Sequence, residues 1–314
     1  MLNVDTHLHL SGCISPQFVW NVIQDRNLKF LASSYDDVVA QMTFMKGEPT
    51  SFSRFLHKFK LLDLLPWDEE LIDGAIKDVC HYLTDNQIDF AFIDFTINKY
   101  MTIGWHKHEA IKFIHDSFRS HAPGKVGLVL AIKYESPRAG QELYAKLIER
   151  SDVADMLVGV DLVGDETYYD AGFYAPLLHN WRTAKKMVRA HVGESQAIDN
   201  IISAIERLSV TNVAHGFKIV NSPSLMLSIA DRDISFDLCI NSNYVTGVID
   251  HIFHPIVTMH RWGIKCTLGS DDPIQFNTNL ANEYKLASSF GMDDTEIMAI
   301  RENSMRMVNR FLTC

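Results

Sequence analysis

Short runs rich in β-branched and aromatic residues recur along the chain, separated by longer amphipathic stretches. The runs predicted to be strands are NVDTHLH (3–9), FAFIDFT (90–96), VGLVLAIKY (126–134), LVGVDLVG (157–164), KMVRAHV (186–192), NVAHG (212–216), ISFDLC (234–239) and IKCTLGS (264–270). Helical periodicity lies between them, as in DEELIDGAIKDVCHYLTD, AGQELYAKLIER and ESQAIDNIISAIERL. Eight alternating strand–helix units predict an α/β fold, a closed (β/α)8 TIM barrel.

The spacing of the predicted strands is uneven after the first one, because about 80 residues separate it from the second. Segment 16–89 carries an apolar set that includes Phe52, Phe55 and Phe59. We interpret this segment as a helical insertion over the barrel mouth, either a moving lid or a static cap. Because no internal repeat or linker is evident, residues 1–314 are expected to form one domain.

The composition narrows the classes of partner. The 314 residues include 29 basic and 39 acidic side chains, a formal net charge of −10, and no basic run suits a phosphate backbone. We expect no nucleic-acid partner. A secretory signal pattern and long uncharged apolar runs are both missing, so no membrane association is expected. The five cysteines are widely spaced without a Cys-x-x-Cys, which favours a cytoplasmic protein, and the oligomeric state stays open.

Two His-x-His pairs occur, and only one is predicted to be chemically active. His7 and His9 lie in a predicted strand, where residues two apart share a face and could bind one metal ion. His106 and His108 lie at the start of a predicted helix, where residues two apart do not face each other. We expect solvated or capping roles for that second pair.

Polar residues gather at the C-terminal ends of the predicted strands, where barrels of this type carry their active sites. They are His7 and His9 of strand one, His191 of strand five, His215 of strand six, and Ser270, Asp271 and Asp272 after strand eight. Each residue alone is compatible with a core histidine or a turn. Together, three imidazoles and a carboxylate suit zinc first, with iron, cobalt or manganese as alternatives.

Glu194 follows strand five in the string HVGES, three residues after His191. In an apolar pocket its carboxyl group would stay protonated and act as a general acid. A second, compatible role is that of an acidic residue stabilised at the N-terminus of the next helix.

The strings HLHLSG (7–12), DLVGDE (161–166), HVGE (191–194), AHG (214–216) and LGSDDP (268–273) resemble the adenosine deaminase family of metal-dependent hydrolases. The resemblance also includes SNYVTG (242–247) and NLANEY (279–284), and it spans nearly the whole chain. It implies one zinc ion, another divalent metal being possible. The implied ligands are His7, His9, His191 and Asp271, and His215 and Asp271 would orient a water molecule and accept its proton.

The same resemblance implies a reaction and its substrate contacts. Hydroxide would attack C6 of a small-molecule 6-aminopurine while Glu194 protonates N1. Asp272 would contact N7, and the backbone N–H of Gly164 would contact N3. The product of this zinc-dependent hydrolytic deamination would be a 6-oxopurine plus ammonia.

The sequence departs from the common family pattern at Ser11 and at the end of strand two. It departs from relatives that bind two metal ions at the end of strand four. Ser11 stands where the family commonly has an acidic residue or Asn near the sugar or base, so the substrate's sugar end is expected to differ. Strand two reads IDFTINKY (93–100) instead of ending in Arg, Ser/Thr and Pro. Strand four lacks the lysine that bridges two metals, which favours one ion.

Two other functions stay open. One is hydrolysis of another C–N bond in a non-purine substrate, and the other is noncatalytic binding of a nucleoside or a protein. The presence of Glu194 and Asp272 favours a purine substrate over these two alternatives. Basic residues of the insertion, namely Lys46, Arg54, Lys58 and Lys60, leave a phosphorylated substrate possible.

Overall fold

A parallel barrel forms the centre of the molecule in the computed structural model, which describes residues 2–49, 51–97, 103–249 and 253–312. Its strands are β1 Val4–His9, β2 Phe90–Phe95, β3 Val126–Lys133, β4 Gly159–Val163, β5 Met187–Val192, β6 Asn212–His215, β7 Ser235–Leu238 and β8 Lys265–Leu268. Each strand pairs with its neighbour in sequence, in the order β1 to β8. The predicted (β/α)8 barrel is therefore confirmed.

The barrel closes through Asp271, three residues after the end of β8. The Asp271 N–H donates to the His7 carbonyl at 2.8 Å, and the His9 N–H donates to the Asp271 carbonyl at 3.0 Å. Closure thus places the backbone of Asp271 directly beside the two histidines of β1.

Helices surround the strands. They are α1 Pro16–Asp25, α2 Tyr35–Met42, α3 Phe52–His57, α4 Lys60–Asp63, α5 Glu69–Asp85, α6 Lys107–His121, α7 Arg138–Ala145, α8 Ser151–Ala154, α9 Ala171–Leu177, α10 His179–Thr183, α11 Ile198–Ser203, α12 Pro223–Ala230, α13 Ile240–Val245, α14 Ile256–Arg261, α15 Pro273–Phe276, α16 Leu280–Ser289 and α17 Asp294–Leu312. Short 3-10 turns span Leu10–Cys13, Lys146–Glu149, Glu166–Tyr168 and Phe217–Asn221, and a π-helical turn spans Ala204–Leu208. The three helical patterns singled out in the sequence correspond to α5, to α7 with its 3-10 turn, and to α11 with its π-helical turn.

Helix starts follow local capping chemistry. The Asp68 carboxylate accepts the Leu71 N–H at 2.9 Å, which satisfies one free donor in the first turn of α5. His106 immediately precedes α6, and its N–H donates to the Glu109 carboxylate at 2.7 Å. His106 therefore contributes to a helix start, one of the two roles expected for this pair, and its ring stacks on that of His108 with centroids 5.8 Å apart.

Helices α1 to α5 occupy the long interval between β1 and β2. Helix α5 packs against α6 as part of the outer ring of helices. Phe55 of α3 stacks on Phe276 of α15, with ring centroids 4.8 Å apart, and so reaches the edge of the barrel mouth. Movement of this segment as a lid stays a prediction.

The opposite end of the barrel is filled by apolar side chains and covered by α17. Phe311 packs edge-on against Phe92 of β2, with ring centroids 6.4 Å apart, and is 5% exposed. Met307 and Val308 of the same helix join this cluster.

Within the described ranges, no helix is both long and apolar enough to cross a membrane.

Phe311→Ala is expected to lower the free energy of unfolding by about 3 kcal/mol, because it removes a buried ring and leaves a cavity beneath the strands. Leu312→Ala is the matched control, since its side chain is 42% exposed, and it should change stability by less than about 0.5 kcal/mol. Urea unfolding monitored by circular dichroism measures both. Equal effects would show that α17 does not close the core.

Candidate active site

Three imidazoles and a carboxylate converge at the C-terminal mouth of the barrel. The Nε2 atoms of His7 and His9 lie 3.2 Å apart. Asp271 Oδ1 lies 3.2 Å from His9 Nε2 and 3.7 Å from His7 Nε2. His191 of β5 supplies a fourth ligand atom, and all four atoms lie within 4.8 Å of one another. The first and fifth strands and the end of the eighth thus present one candidate metal group.

The spacing of these atoms fits a divalent ion such as zinc. Ligand atoms placed tetrahedrally about 2.0–2.1 Å from a central ion lie roughly 3.3 Å apart. The electrostatics of the site also favour a cation. Although burial lowers the pKa of His9, the Asp272 and Asp271 carboxylates raise it to about 10. The donor set of three nitrogens and one oxygen is one that zinc accepts.

The backbone at two of these strand ends is held in the left-handed region. Asp271 has φ 61° and His215 has φ 59°, which is costly for residues other than glycine. The two β1 hydrogen bonds fix Asp271, and the Ser242 hydroxyl donates to its Oδ2 at 2.6 Å. These contacts hold the Asp271 carboxylate with one oxygen toward the histidines and the other toward Ser242.

A second carboxylate sets the orientation of His191. Its Nδ1 lies 3.2 Å from Oδ1 of Asp161, a fully buried residue of β4. A neutral imidazole that donates from Nδ1 to a carboxylate presents the lone pair of Nε2 to a metal. The pair therefore prepares His191 as a ligand.

Asp161 belongs to a buried ionic cluster around Arg189, also of β5. The guanidinium, with no exposed surface, contacts the carboxylates of Asp94, Asp161 and Asp237. It also donates to the Thr6 carbonyl at 2.8 Å. One side chain therefore connects β1, β2, β4 and β7 to β5 in the interior of the barrel.

Two of the carboxyl groups that contact the guanidinium have opposite pKa shifts. Burial raises the pKa of Asp94 to about 8. At Asp161 burial is outweighed by His191 and Arg189, which lower its pKa to about 2. A second cluster of ligand-type atoms, from His7, Asp94 and Asp161, already has Arg189 bound to its two carboxylates. This arrangement favours a single metal ion.

The loop that carries Glu194 is organised by another buried acid. The Glu166 carboxylate accepts the backbone N–H groups of Gly193 at 2.6 Å, Ser195 at 3.0 Å and Gln196 at 2.9 Å. These bonds fold the segment between β5 and α11 around a single side chain. Glu194 is consequently directed into the barrel mouth rather than to solvent.

Glu194 lies close to His215 and Asn243. Its Oε2 is 3.8 Å from His215 Nε2, and its Oε1 accepts from Asn243 Nδ2 at 3.4 Å. Burial, reinforced by the charge of Asp271, raises the Glu194 pKa to about 8. A carboxyl group in this state can donate a proton near neutral pH.

One cavity of about 320 Å³ unites these residues. Its lining includes His9, Ser11, Gly164, His191, Glu194, His215, Asp271 and Asp272.

Gly12, behind the cavity wall, has no room for a side chain, because a Cβ there would lie 2.2 Å from Asp272 Oδ1. Gly164 adopts φ 99°, which favours glycine and turns the chain at the end of β4.

The structure brings every residue proposed from the sequence to this one site. His7 and Ser270 do not line the cavity: His7 lies fully buried behind it, and the buried Ser270 hydroxyl donates to the Asp5 carboxylate at 2.6 Å. Sequence reasoning missed Arg189, Asp161 and Asn243 as contributors. Asp161 and Asn243 fall within strings used only for the family resemblance, and Arg189 stands two residues before His191.

Comparisons with known proteins identify the family of the chain. A family model described as adenosine deaminase matches residues 3–310. The curated adenosine deaminase of Shewanella denitrificans is 24% identical over 313 residues, with 97% of this chain and 93% of the relative covered.

Two solved structures share the fold. The adenine deaminase of Arthrobacter aurescens superposes with a TM-score of 0.84 at 16% identity, covering 97% of this chain and 92% of that one. An amidohydrolase of Burkholderia ambifaria with bound Zn gives a TM-score of 0.84 at 20% identity, covering 98% of this chain and 85% of that one.

Asp161→Asn is expected to weaken zinc binding by about 10- to 100-fold, because the amide no longer stabilises His191 as an Nδ1–H donor. Asp237→Asn is the matched control. It removes a carboxylate from the same guanidinium without touching a histidine of the metal group, so zinc affinity should stay near that of the parent protein. Competition against a chelating dye measures both affinities, and equal losses would refute the proposed role of Asp161.

Proposed function

Because the family model matches residues 3–310, the chain belongs to the adenosine deaminase family, and we propose that it deaminates an adenosine-like 6-aminopurine using one zinc ion. Membership makes it a hydrolase acting on C–N bonds. The observation that carries the finer proposal is the position of Glu194, a buried carboxyl group in the same cavity as His9, His191 and Asp272.

The proposed metal ligands are His7, His9, His191 and Asp271. A zinc ion bound there would lower the pKa of a water molecule toward 7 and make hydroxide available at neutral pH. Asp271 has a second oxygen, Oδ2, on the side of His215, 3.9 Å from its Nε2. We assign Asp271 and His215 to orient the attacking water and Asp271 to accept its proton.

Glu194 and Asp272 are proposed to activate the purine. A protonated Glu194 donates its proton to N1 of the ring, which makes C6 more electrophilic. Burial also raises the pKa of Asp272 well above its usual value, which favours the protonated form that would donate to N7. The Gly164 N–H would contact N3. The proton accepted by Asp271 would pass to the C6 amino group, so that collapse of the tetrahedral adduct releases ammonia and leaves the 6-oxopurine, while the C6 hydroxyl proton would return to Glu194.

The charges around the cavity favour a neutral nucleoside over a nucleotide. Among the described residues that line it, Lys133 is the single lysine or arginine, and Asp63 and Glu135 are also present. The insertion's Arg54, Lys58 and Lys60 line a different cavity. Lys58 is already paired with Glu48, its Nζ lying 2.9 Å from the Glu48 carboxylate. Few cations of the described residues are therefore available to bind a phosphate in this cavity.

Ammonia release from a panel of 6-aminopurines tests this proposal. With zinc-loaded protein, we expect turnover of adenosine, 2′-deoxyadenosine or a 5′-modified adenosine, and lower kcat/KM for AMP and for N6-methyl-AMP, whose hydrolysis is followed by release of methylamine instead of ammonia. Adenine tests whether the sugar is required. Silence across the panel with zinc bound would favour a non-purine hydrolase or a noncatalytic binder. A higher kcat/KM for AMP than for adenosine would contradict the inference, drawn from the charges that line the cavity, that the substrate is a neutral nucleoside.

Glu194→Gln is expected to keep its zinc and lower kcat by about 10²- to 10⁴-fold, because the amide cannot protonate N1. Metal content by atomic emission and steady-state kinetics on the preferred substrate measure the two effects. Glu166→Gln serves as a partial control, since it disturbs the same loop and leaves the acid present. A fully active Glu194→Gln enzyme would overturn the mechanism.

The pH profile gives a second test of Glu194. Its pKa is raised to about 8, so the active protonated form persists below that value and is lost above it. We therefore expect kcat/KM to fall as the pH rises through about 8, while circular dichroism shows that the fold is retained. A rate that increases across this range would mean that the Glu194 carboxylate, not the acid, is the active form.

A further inference from the structure

A line of three buried side chains leads from the active site into the protein. His215 Nδ1 lies 3.3 Å from Asn243 Nδ2, and Asn243 Oδ1 lies 3.4 Å from His254 Nε2. His215 is 2% exposed, and Asn243 and His254 are fully buried. Solvent therefore does not set the hydrogen-bond roles along this line, and the protein's own donors and acceptors must do so.

The inner end of the line fixes its direction. His254 Nδ1 accepts the backbone N–H of Ile256 at 3.1 Å, so this nitrogen carries no proton. Rings of Phe217, Tyr244 and Phe290 lie around the imidazole. Burial lowers the His254 pKa to about 3, which keeps the ring neutral. A neutral imidazole without a proton on Nδ1 carries one on Nε2.

The Nε2–H of His254 then determines how the Asn243 amide is turned. A donor must face the amide oxygen, since the opposite orientation would place the NH2 group against another N–H. The NH2 group consequently points toward the active site. It donates one hydrogen toward His215 Nδ1 and the other to Glu194 Oε1, 3.4 Å away.

The Asn243 amide fixes where the proton lies on each of its two neighbours, His215 and Glu194. His215 Nδ1 accepts, so the neutral ring carries its proton on Nε2, which faces Glu194 Oε2 at 3.8 Å and Asp271 Oδ2 at 3.9 Å. Glu194 Oε1 also accepts, so the proton of the Glu194 acid is placed on Oε2. These two protons are the ones that face the cavity.

We propose that His254 and Asn243 are positioning residues that fix His215 as an Nε2–H donor. His215 then stabilises the attacking oxygen through a hydrogen bond and does not take up the water proton, which leaves Asp271 Oδ2 as the acceptor. This differs from the sequence-based expectation that His215 shares that proton. The catalytic meaning of the inference rests on the proposed function, whereas the proton positions rest on the contacts alone.

Ring-nitrogen NMR tests the proton positions without any substrate. Protein labelled with nitrogen-15 in its histidine side chains and loaded with zinc should show His215 with a pyrrole-type Nε2 and a pyridine-type Nδ1 in long-range proton–nitrogen spectra. Loss of these signals in His215→Asn assigns them. A proton on Nδ1 of His215 in the parent protein overturns the proposal, whether or not the deaminase assay succeeds.

Variants at His254 test the relay. His254→Leu leaves Asn243 Oδ1 without its donor, and we expect kcat to fall about 10- to 100-fold with KM and zinc content little changed. His254→Gln retains an amide that can accept from Ile256 and donate to Asn243, and it should recover most of the rate and the His215 spectrum. Exposed His179→Leu is the control for loss of a histidine.

Asn243→Asp reverses the donor next to His215. A carboxylate accepts from both sides, so the His215 proton should move to Nδ1, with a loss of kcat at least as large as in His254→Leu. Unchanged His215 signals in both His254→Leu and Asn243→Asp would contradict the relay. If neither variant folds, the spectrum of the parent protein still decides the proton position.

Discussion

The Arg189 guanidinium is buried in the barrel without any solvent contact, and much of the active site depends on how its charge is balanced. An unpaired buried charge costs several kcal/mol, so the carboxylates of Asp94, Asp161 and Asp237 must surround it when the barrel closes. These acids come from β2, β4 and β7. The same cation keeps Asp161 ionised, and Asp161 in turn holds the His191 ring in the tautomer that a metal requires.

A second polar layer lies at the barrel mouth and is organised by Glu166 and Asn243. Glu166 gathers the backbone N–H groups of the loop that carries Glu194, and Asn243 connects Glu194 with His215. Two carboxyl groups in one cavity have opposite pKa shifts: that of Asp271 is lowered, which favours the charged form, and that of Glu194 is raised, which favours the protonated form. Hydrolysis of an amino group needs this division, since one group must take a proton and another must supply one.

The strands and the metal group could be predicted from the sequence because both follow from short-range rules. Eight apolar runs mark the strands, and polar residues at their C-terminal ends must meet at one mouth of a parallel barrel. Arg189 obeys no such rule. A charged residue in the middle of KMVRAHV looks solvent-facing, and its partners come from three other strands. Asn243 and His254 lie on α13 and on the segment before α14, so only the folded chain aligns them with His215.

The departures from the family pattern have a physical context in the structure. Strand two lacks the Arg, Ser/Thr and Pro ending that is common in the family, and here Asp94 of β2 contacts Arg189 of β5 in the barrel interior. Ser11 lines the cavity in place of a longer acidic side chain. These differences concern the barrel interior and the part of the cavity that Ser11 lines, whereas Glu194, the metal group and Asp272 remain in place.

The most direct test of a metal-dependent hydrolytic deaminase is the fate of oxygen and nitrogen in a single reaction. Zinc-loaded protein would be incubated with adenosine in water enriched in oxygen-18, and the products analysed by mass spectrometry with ammonia quantified in parallel. We predict a 6-oxopurine nucleoside with one oxygen-18 atom at C6 and one equivalent of ammonia. Release of free adenine, or an unchanged nucleoside with zinc bound, would contradict this function.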